Sequence, residues 1–193
     1  MTGGPGDRER TGAGGSLPAS FRPLREVAGR ELRWAPASRF GRALVLRAGS
    51  DVVAHLRWHG LLVRRAEASC ADGSWVFRQN KWFPPRRFGA EDAATGESIG
   101  VLTVGLVGTG ELLLPDGDHL HWKWSGVFPR WWQFADDRGA PLVRMRRTGF
   151  PPFARHGLVE VAAAAFARPE LPLLITLGWF VVINATRRQA RRS

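Results

Sequence analysis

The sequence predicts an all-β sandwich or barrel of roughly ten to twelve short strands, followed by one apolar helix at the C-terminal end. Three observations carry this. Short alternations of apolar and polar residues recur from Leu24 to about Ala167, split by Gly, Pro and Asp. No stretch before residue 160 holds a helical period, which argues against an alternating α/β fold. Leu171 to Ile183 reads LPLLITLGWFVVI, apolar on every side with Thr176 as its one polar side chain.

The first twenty residues, MTGGPGDRERTGAGGSLPAS, are dominated by Gly, Pro and Ser and show no apolar period. They predict a disordered tail whose charges cancel, so it is no basic arm for nucleic acid.

In the strand region, faces follow from period-two alternation. Leu32 and Trp34 oppose Glu31 and Arg33. Ala54, Leu56 and Trp58 share one face, with His55, Arg57 and His59 on the other. Leu120, Trp122 and Trp124 oppose His119, His121 and Lys123, and Val143 and Met145 oppose Arg144 and Arg146. Gly49-Ser50-Asp51, Asp72-Gly73, Thr95-Gly96, Asp116-Gly117 and Asp137-Arg138-Gly139 supply hairpin turns.

The apolar run predicts a helix from about Pro169 to about Thr186. Pro169 and Pro172 suit a first turn, where a missing N–H costs little. Such a helix cannot lie on a protein surface, so two environments remain. In lipid, thirteen residues span about 20 Å, against a hydrocarbon core of roughly 30 Å. Lengthening the span draws in Glu170 or Asn184, both costly there. The other environment is a sheet that closes around the helix and so removes its own edges.

Of 193 residues, 28 are Lys or Arg and 17 are Asp or Glu, a net charge of +11. Only Lys81 and Lys123 are lysines. There are nine tryptophans and no tyrosine. This balance favours anionic partners. The single cysteine, Cys70, excludes an intrachain disulfide framework and a cysteine zinc cluster. No leading apolar run marks a secretory signal, so the sequence predicts a cytoplasmic protein.

No catalytic constellation emerges, and the sequence predicts a non-enzymatic protein without cofactor or metal. Gly96-Glu97-Ser98-Ile99-Gly100 matches G-x-S-x-G, but that elbow needs a strand, a strained turn and a helix. A hairpin turn is the better reading. His119 and His121 could share a strand face and offer two imidazoles to a metal, yet the apolar opposite face turns them to water. His55 and His59 stand too far apart to chelate together, and His156 falls in a loop. Gly105, Gly108 and Gly110 lack phosphate-loop spacing and read as a hairpin. Asn184-Ala185-Thr186 matches a glycosylation sequon, but nothing places it in a secretory lumen.

Trp82-Phe83-Pro84-Pro85-Arg86-Arg87-Phe88 mixes aromatics with arginines, a composition suited to a membrane interface or a stacked base. Val127 to Trp132 and Phe150 to Arg155 have the same character.

The layout resembles the tubby C-terminal-like superfamily of tubby domains, phospholipid scramblases and LURP-one-related proteins. The resemblance covers residues from about 24 to 186. It rests on Ala68 to Arg78 (ASCADGSWVFR), Trp131 to Val143 (WWQFADDRGAPLV) and the helix Leu171 to Ile183. It implies a closed antiparallel barrel of about twelve strands around the C-terminal helix. It also implies membrane proximity, because tubby domains bind phosphoinositides through basic surface residues and scramblases act on phospholipids. No local motif carries family residues over one by one. Cys70 alone provides no palmitoylation cluster, the lack of tyrosine excludes a PPxY motif, and Glu91-Asp92 and Asp136-Asp137 are too sparse for an acidic calcium loop.

The expected organisation is a tail over 1–20, a barrel over 21–186 and a basic tail over 187–193. The expected function is association with anionic phospholipid at the inner membrane face. Candidate lipid-phosphate contacts are Arg86, Arg87, Arg144, Arg146, Arg147, Arg187, Arg188, Arg191 and Arg192. A C-terminal membrane anchor is the alternative, and a nucleic-acid-binding barrel ranks below it for want of any recognised signature.

Overall fold

A computed structural model describes residues 20–38, 42–59, 64–80, 83–125, 131–149 and 156–189, the last four of these by backbone alone. Twelve strands form one closed antiparallel barrel, each paired with its sequence neighbours, and the first pairs with the last. They are β1 (Leu32–Pro36), β2 (Ala43–Ala48), β3 (Asp51–His59), β4 (Arg65–Cys70), β5 (Gly73–Gln79) and β6 (Arg86–Asp92). The second half is β7 (Ser98–Val104), β8 (Gly110–Leu113), β9 (His119–Ser125), β10 (Trp131–Ala135), β11 (Pro141–Thr148) and β12 (His156–Val161). Closure is made where Leu32, Arg33 and Trp34 pair with Val159, Leu158 and Gly157.

Inside stands the helix α1 (Leu171–Gln189). It begins two residues after the position predicted from its prolines. It runs on through Arg187 and Arg188, which the sequence reading had placed in a tail. From Leu171 to Asn184 every residue is buried. The protein interior, not lipid, is therefore what surrounds the apolar run, and no described helix is long and apolar enough to cross a membrane.

The helix carries two buried polar side chains in this stretch, and each is satisfied one turn back. Thr176 Oγ1 donates to the Pro172 carbonyl at 2.8 Å, and Asn184 Nδ2 donates to the Phe180 carbonyl at 2.9 Å. Neither asks the wall for a polar partner, so the wall can be wholly apolar there.

The wall supplies the alternation predicted. Leu32, Trp34, Leu44, Leu46, Leu56, Phe77, Phe88, Leu102, Leu112, Leu120, Trp122, Phe134, Val143 and Met145 are all buried. The indoles of Trp34 and Trp179 stack at 6.0 Å and 9°. Phe180 stacks on Phe77 at 5.7 Å and meets Phe88 edge-on at 6.0 Å.

Two glycines set how closely helix and wall approach. A Cβ on Gly157 of β12 would lie 1.8 Å from the Trp179 ring, and one on Gly178 of the helix 2.3 Å from Met145 Cε. The first neighbour is a rigid ring packed on a second indole, the second the end of a flexible chain.

Helix direction gives the barrel two distinct ends. The chain leaves β12, passes a short 3-10 segment at Ala163–Ala167 and enters the barrel at what we term the entry end. Arg168 ties this segment down through Asp118, at 3.0 Å, and through Glu170. The helix leaves at the opposite, exit end. The turns predicted from sequence are all present; the five with Gly-Ser, Asp-Gly, Thr-Gly or Arg-Gly signals lie at the entry end, and the glycine-rich hairpin at 105–109 lies at the exit end.

Replacing Gly157 with Ala is expected to destabilise the protein by about 3 kcal/mol, and Gly178 with Ala by about 1 kcal/mol, because only Met145 can give way. Chemical denaturation of both variants checks the order. Equal, negligible losses would mean the helix is not packed against β12 as described.

Candidate functional site

The nine arginines singled out from sequence fall into three settings. Arg86 and Arg147 have the parity of inward residues: Arg86 pairs with Val104 and follows the register of Phe88, and Arg147 pairs with Gly157 and follows Met145. Both are half-buried at the exit rim. Burial pulls the Arg147 guanidinium below its ordinary pKa, though arginine's ordinary value is high enough to leave it charged. Arg87 is exposed on the outside of the same rim.

Arg144 and Arg146 face outward on the wall, on the opposite face to Arg147. Their guanidinium carbons lie 4.6 and 5.0 Å from the centre of the Trp131 ring, and Arg144 also reaches Glu160 at 3.4 Å. Residues 144–147 are thus not one patch, since period two sends 144 and 146 to one face and 147 to the other. Arg187 and Arg188 have backbone positions in the last turns of α1, at the exit end. Their side chains lie outside the described residues, as do Arg191 and Arg192.

The two ends differ in chemistry. At the entry end the connections between strands, and the one into the helix, contain Asp72, Glu97, Asp116, Asp118, Asp136, Asp137 and Glu170 against only Arg138 and Arg168. At the exit end the connections span 37–42, 60–64, 80–85, 105–109, 126–130 and 149–155. Their sequences contain Arg39, Arg42, Arg64, Lys81, Arg130 and Arg155 and no Asp or Glu. Each also carries Phe, Trp, Leu or Val. Trp82, Val127 to Arg130 and Phe150 to Arg155, noted in the sequence, belong to these connections but lie outside the described residues.

Exposed apolar side chains follow the same division. Among the described residues, Phe83 is 78% exposed, Leu106 86%, Val107 72% and Trp124 39%, all at the exit end, while Leu113 at 47% is at the entry end. Trp124 has the inward parity the alternation predicts, but it is the next-to-last residue of β9, at the exit rim, where it stays exposed.

The other sequence candidates stay apart. His119 and His121 are exposed, His119 Nδ1 lying 3.1 Å from Glu111 and His121 3.8 Å from Asp137. Among the described residues no cluster of three or more His, Cys, Asp or Glu could hold a metal ion. Ser98 opens β7 after the Thr95-Gly96 turn, with no helix behind it, so G-x-S-x-G is a hairpin here. Gly105 to Gly110 joins β7 to β8. Cys70 is buried, and burial raises its thiol pKa.

His55 is the unexpected histidine. It faces outward, opposite Val45 on β2, yet both are buried. Burial, then the Arg57 guanidinium, pulls its pKa below the ordinary 6.5.

What sequence reading missed is the segregation of charge. In an up-and-down barrel, alternate connections go to opposite ends, so charges mixed along the chain separate in space. Counting charge over every second connection would have found it.

No family model, curated protein or solved structure matches the chain.

Because folded His55 resists protonation, the unfolded chain binds its proton first as pH falls through 6.5. Its contribution to stability is complete above that pH and is lost below it. His55→Asn should therefore flatten the fall in urea midpoint between about pH 7.5 and about pH 5.5 relative to the unaltered protein. Parallel curves for the two proteins would show that His55 titrates normally in the fold.

Proposed function

We propose that the protein is a non-enzymatic barrel that associates with an anionic phospholipid surface through its exit end, at the cytoplasmic face of a membrane. The observation that carries this reading is the coincidence, at one end, of acid-free basic connections and the exposed apolar side chains Phe83, Leu106, Val107 and Trp124.

Magnitudes favour it. A helix of 19 residues extends about 28 Å, more than three Debye lengths of about 8 Å at physiological ionic strength. An anionic surface touching the exit end is therefore screened from the acidic entry end. Each arginine brought near such a surface contributes roughly 1 kcal/mol. Arg86, Arg87 and Arg147 stand at this rim, the backbone of Arg187 and Arg188 lies in the last turns of α1 at the same end, and the sequence continues with Arg191 and Arg192. Arg144 and Arg146, held over Trp131 on the wall, play a lesser part. The resemblance of the sequence layout to tubby-like and scramblase-like proteins supports the same reading.

The test compares matched charge reversals at the two ends. All four arginines chosen are exposed. Wild-type protein should sediment with phosphatidylcholine vesicles containing phosphatidylserine at low salt, and not with phosphatidylcholine alone. Arg42→Glu with Arg87→Glu should weaken this by at least about tenfold, whereas Arg138→Glu with Arg25→Glu, in the 3-10 turn Leu24–Val27 that leads into β1 at the entry end, should leave it near wild type. No sedimentation of the wild type, or equal losses in both pairs, ends the proposal.

A further inference from the structure

Within the exit end, one connection is built more firmly than its exposure requires. Residues 105–109 join β7 to β8 as a closed turn: Gly105 N–H donates to the Thr109 carbonyl at 2.8 Å, and Gly108 N–H to the Gly105 carbonyl at 3.3 Å. The Trp124 indole N–H, reaching over from β9, donates to the Val107 carbonyl at 2.9 Å. Gly108 has φ +83°, and a Cβ there would meet the Trp124 ring at 3.4 Å. The turn is thus closed on itself and latched to the rim by the Trp124 indole. Yet it holds Leu106 and Val107, two consecutive apolar side chains, in water.

We propose that this turn is a preformed insertion tip that enters the acyl layer beneath an anionic headgroup surface, with Trp124 as the residue that positions it. This rests on the membrane-surface reading above and adds to it the depth and the residues of contact. Register supplies the depth. Arg86 pairs with Val104, and Leu106 lies two residues beyond. At about 3.3 Å per residue the apolar tip therefore projects up to about 7 Å past the arginine level. Amphipathic segments seat their apolar faces about 5–10 Å into the headgroup–acyl boundary. Arginines at phosphate depth and apolar side chains just below reproduce that layering. The neighbouring β5–β6 hairpin presents Phe83 beside it, and no charged residue occurs between Val104 and Glu111. A rim indole with a satisfied N–H suits the interface itself.

The experiment labels Leu106→Cys, in a Cys70→Ala background, with a polarity-sensitive dye, and Leu113→Cys at the entry end likewise. With phosphatidylserine-containing vesicles, the dye at 106 should shift to the blue and the dye at 113 should not. Unlabelled variants guard against perturbation by the dye or by Cys70→Ala. Leu106→Ser with Val107→Ser should lower the vesicle-bound fraction at high salt by about tenfold without lowering the melting temperature. Trp124→Phe, which keeps a ring and loses the N–H, should lower it by about threefold, again with little change in melting. If wild-type protein sediments with the vesicles but the dye at 106 does not shift, insertion is wrong while surface association stands. If the wild type does not sediment at all, both proposals fall. A shift at 106 without vesicles that grows with protein concentration would assign the tip to a second copy and overturn the lipid assignment.

Discussion

An α-helix that is apolar on every side must be enclosed, and that one requirement organises this protein. A single sheet face covers only one side of a helix. Enclosure needs a wall that curves fully round, and twelve antiparallel strands joined first to last provide it. The helix in turn fills what would otherwise be an empty barrel. Its fit depends on two missing side chains, at Gly157 and Gly178, and on a Trp34–Trp179 stack that would be costly to rebuild elsewhere. Thr176 and Asn184 bond to their own backbone, while the buried Trp179 indole N–H makes no hydrogen bond among the described residues and its ring packs on Trp34.

The same enclosure makes the two ends unequal. The helix enters at one and leaves at the other, so an up-and-down barrel sorts its connections by their parity along the chain. At the entry end the turns are short and use Asp and Gly, residues that favour tight hairpins and local hydrogen bonds. Asp92, for instance, accepts from the Ala94 and Thr95 N–H groups at 2.9 Å. Acid accumulates there partly for reasons of turn chemistry. The exit connections are mostly longer and carry arginine with Phe, Trp, Leu and Val instead, a composition that turn geometry does not demand. That difference is what makes the exit end the candidate functional surface.

Much of this was legible in the sequence, unevenly. The strand faces around Leu56, Trp122 and Met145 follow from simple alternation, and the helix from thirteen apolar residues with no polar stripe. The turns with Asp-Gly, Thr-Gly or Gly-Ser signals all lie at the entry end, and of the exit connections only the glycine-rich hairpin at 105–109 is announced in the sequence. The other exit connections lack such signals and are silent to that kind of reading. Period two also gives a side chain's face but not its height in the barrel. Trp124 reads like Trp122 yet sits exposed at the rim, and Arg147 reads as part of a surface cluster yet turns inward. His55 shows the converse, a residue on the outer face that is nonetheless buried. Register shifts, such as that between Leu46 and Arg47 in β2, depend on pairing partners that local sequence does not specify.

Native-state hydrogen exchange, with and without phosphatidylserine-containing vesicles, tests the central claim most directly. The account predicts that the α1 amides from Leu174 to Ile183 exchange only through global unfolding in both conditions, while vesicles slow exchange at the exit connections, residues 105–109 among them. Loss of α1 protection when vesicles are added would mean that the helix leaves the barrel for lipid, and the enclosure on which the rest depends would not be the membrane-associated state.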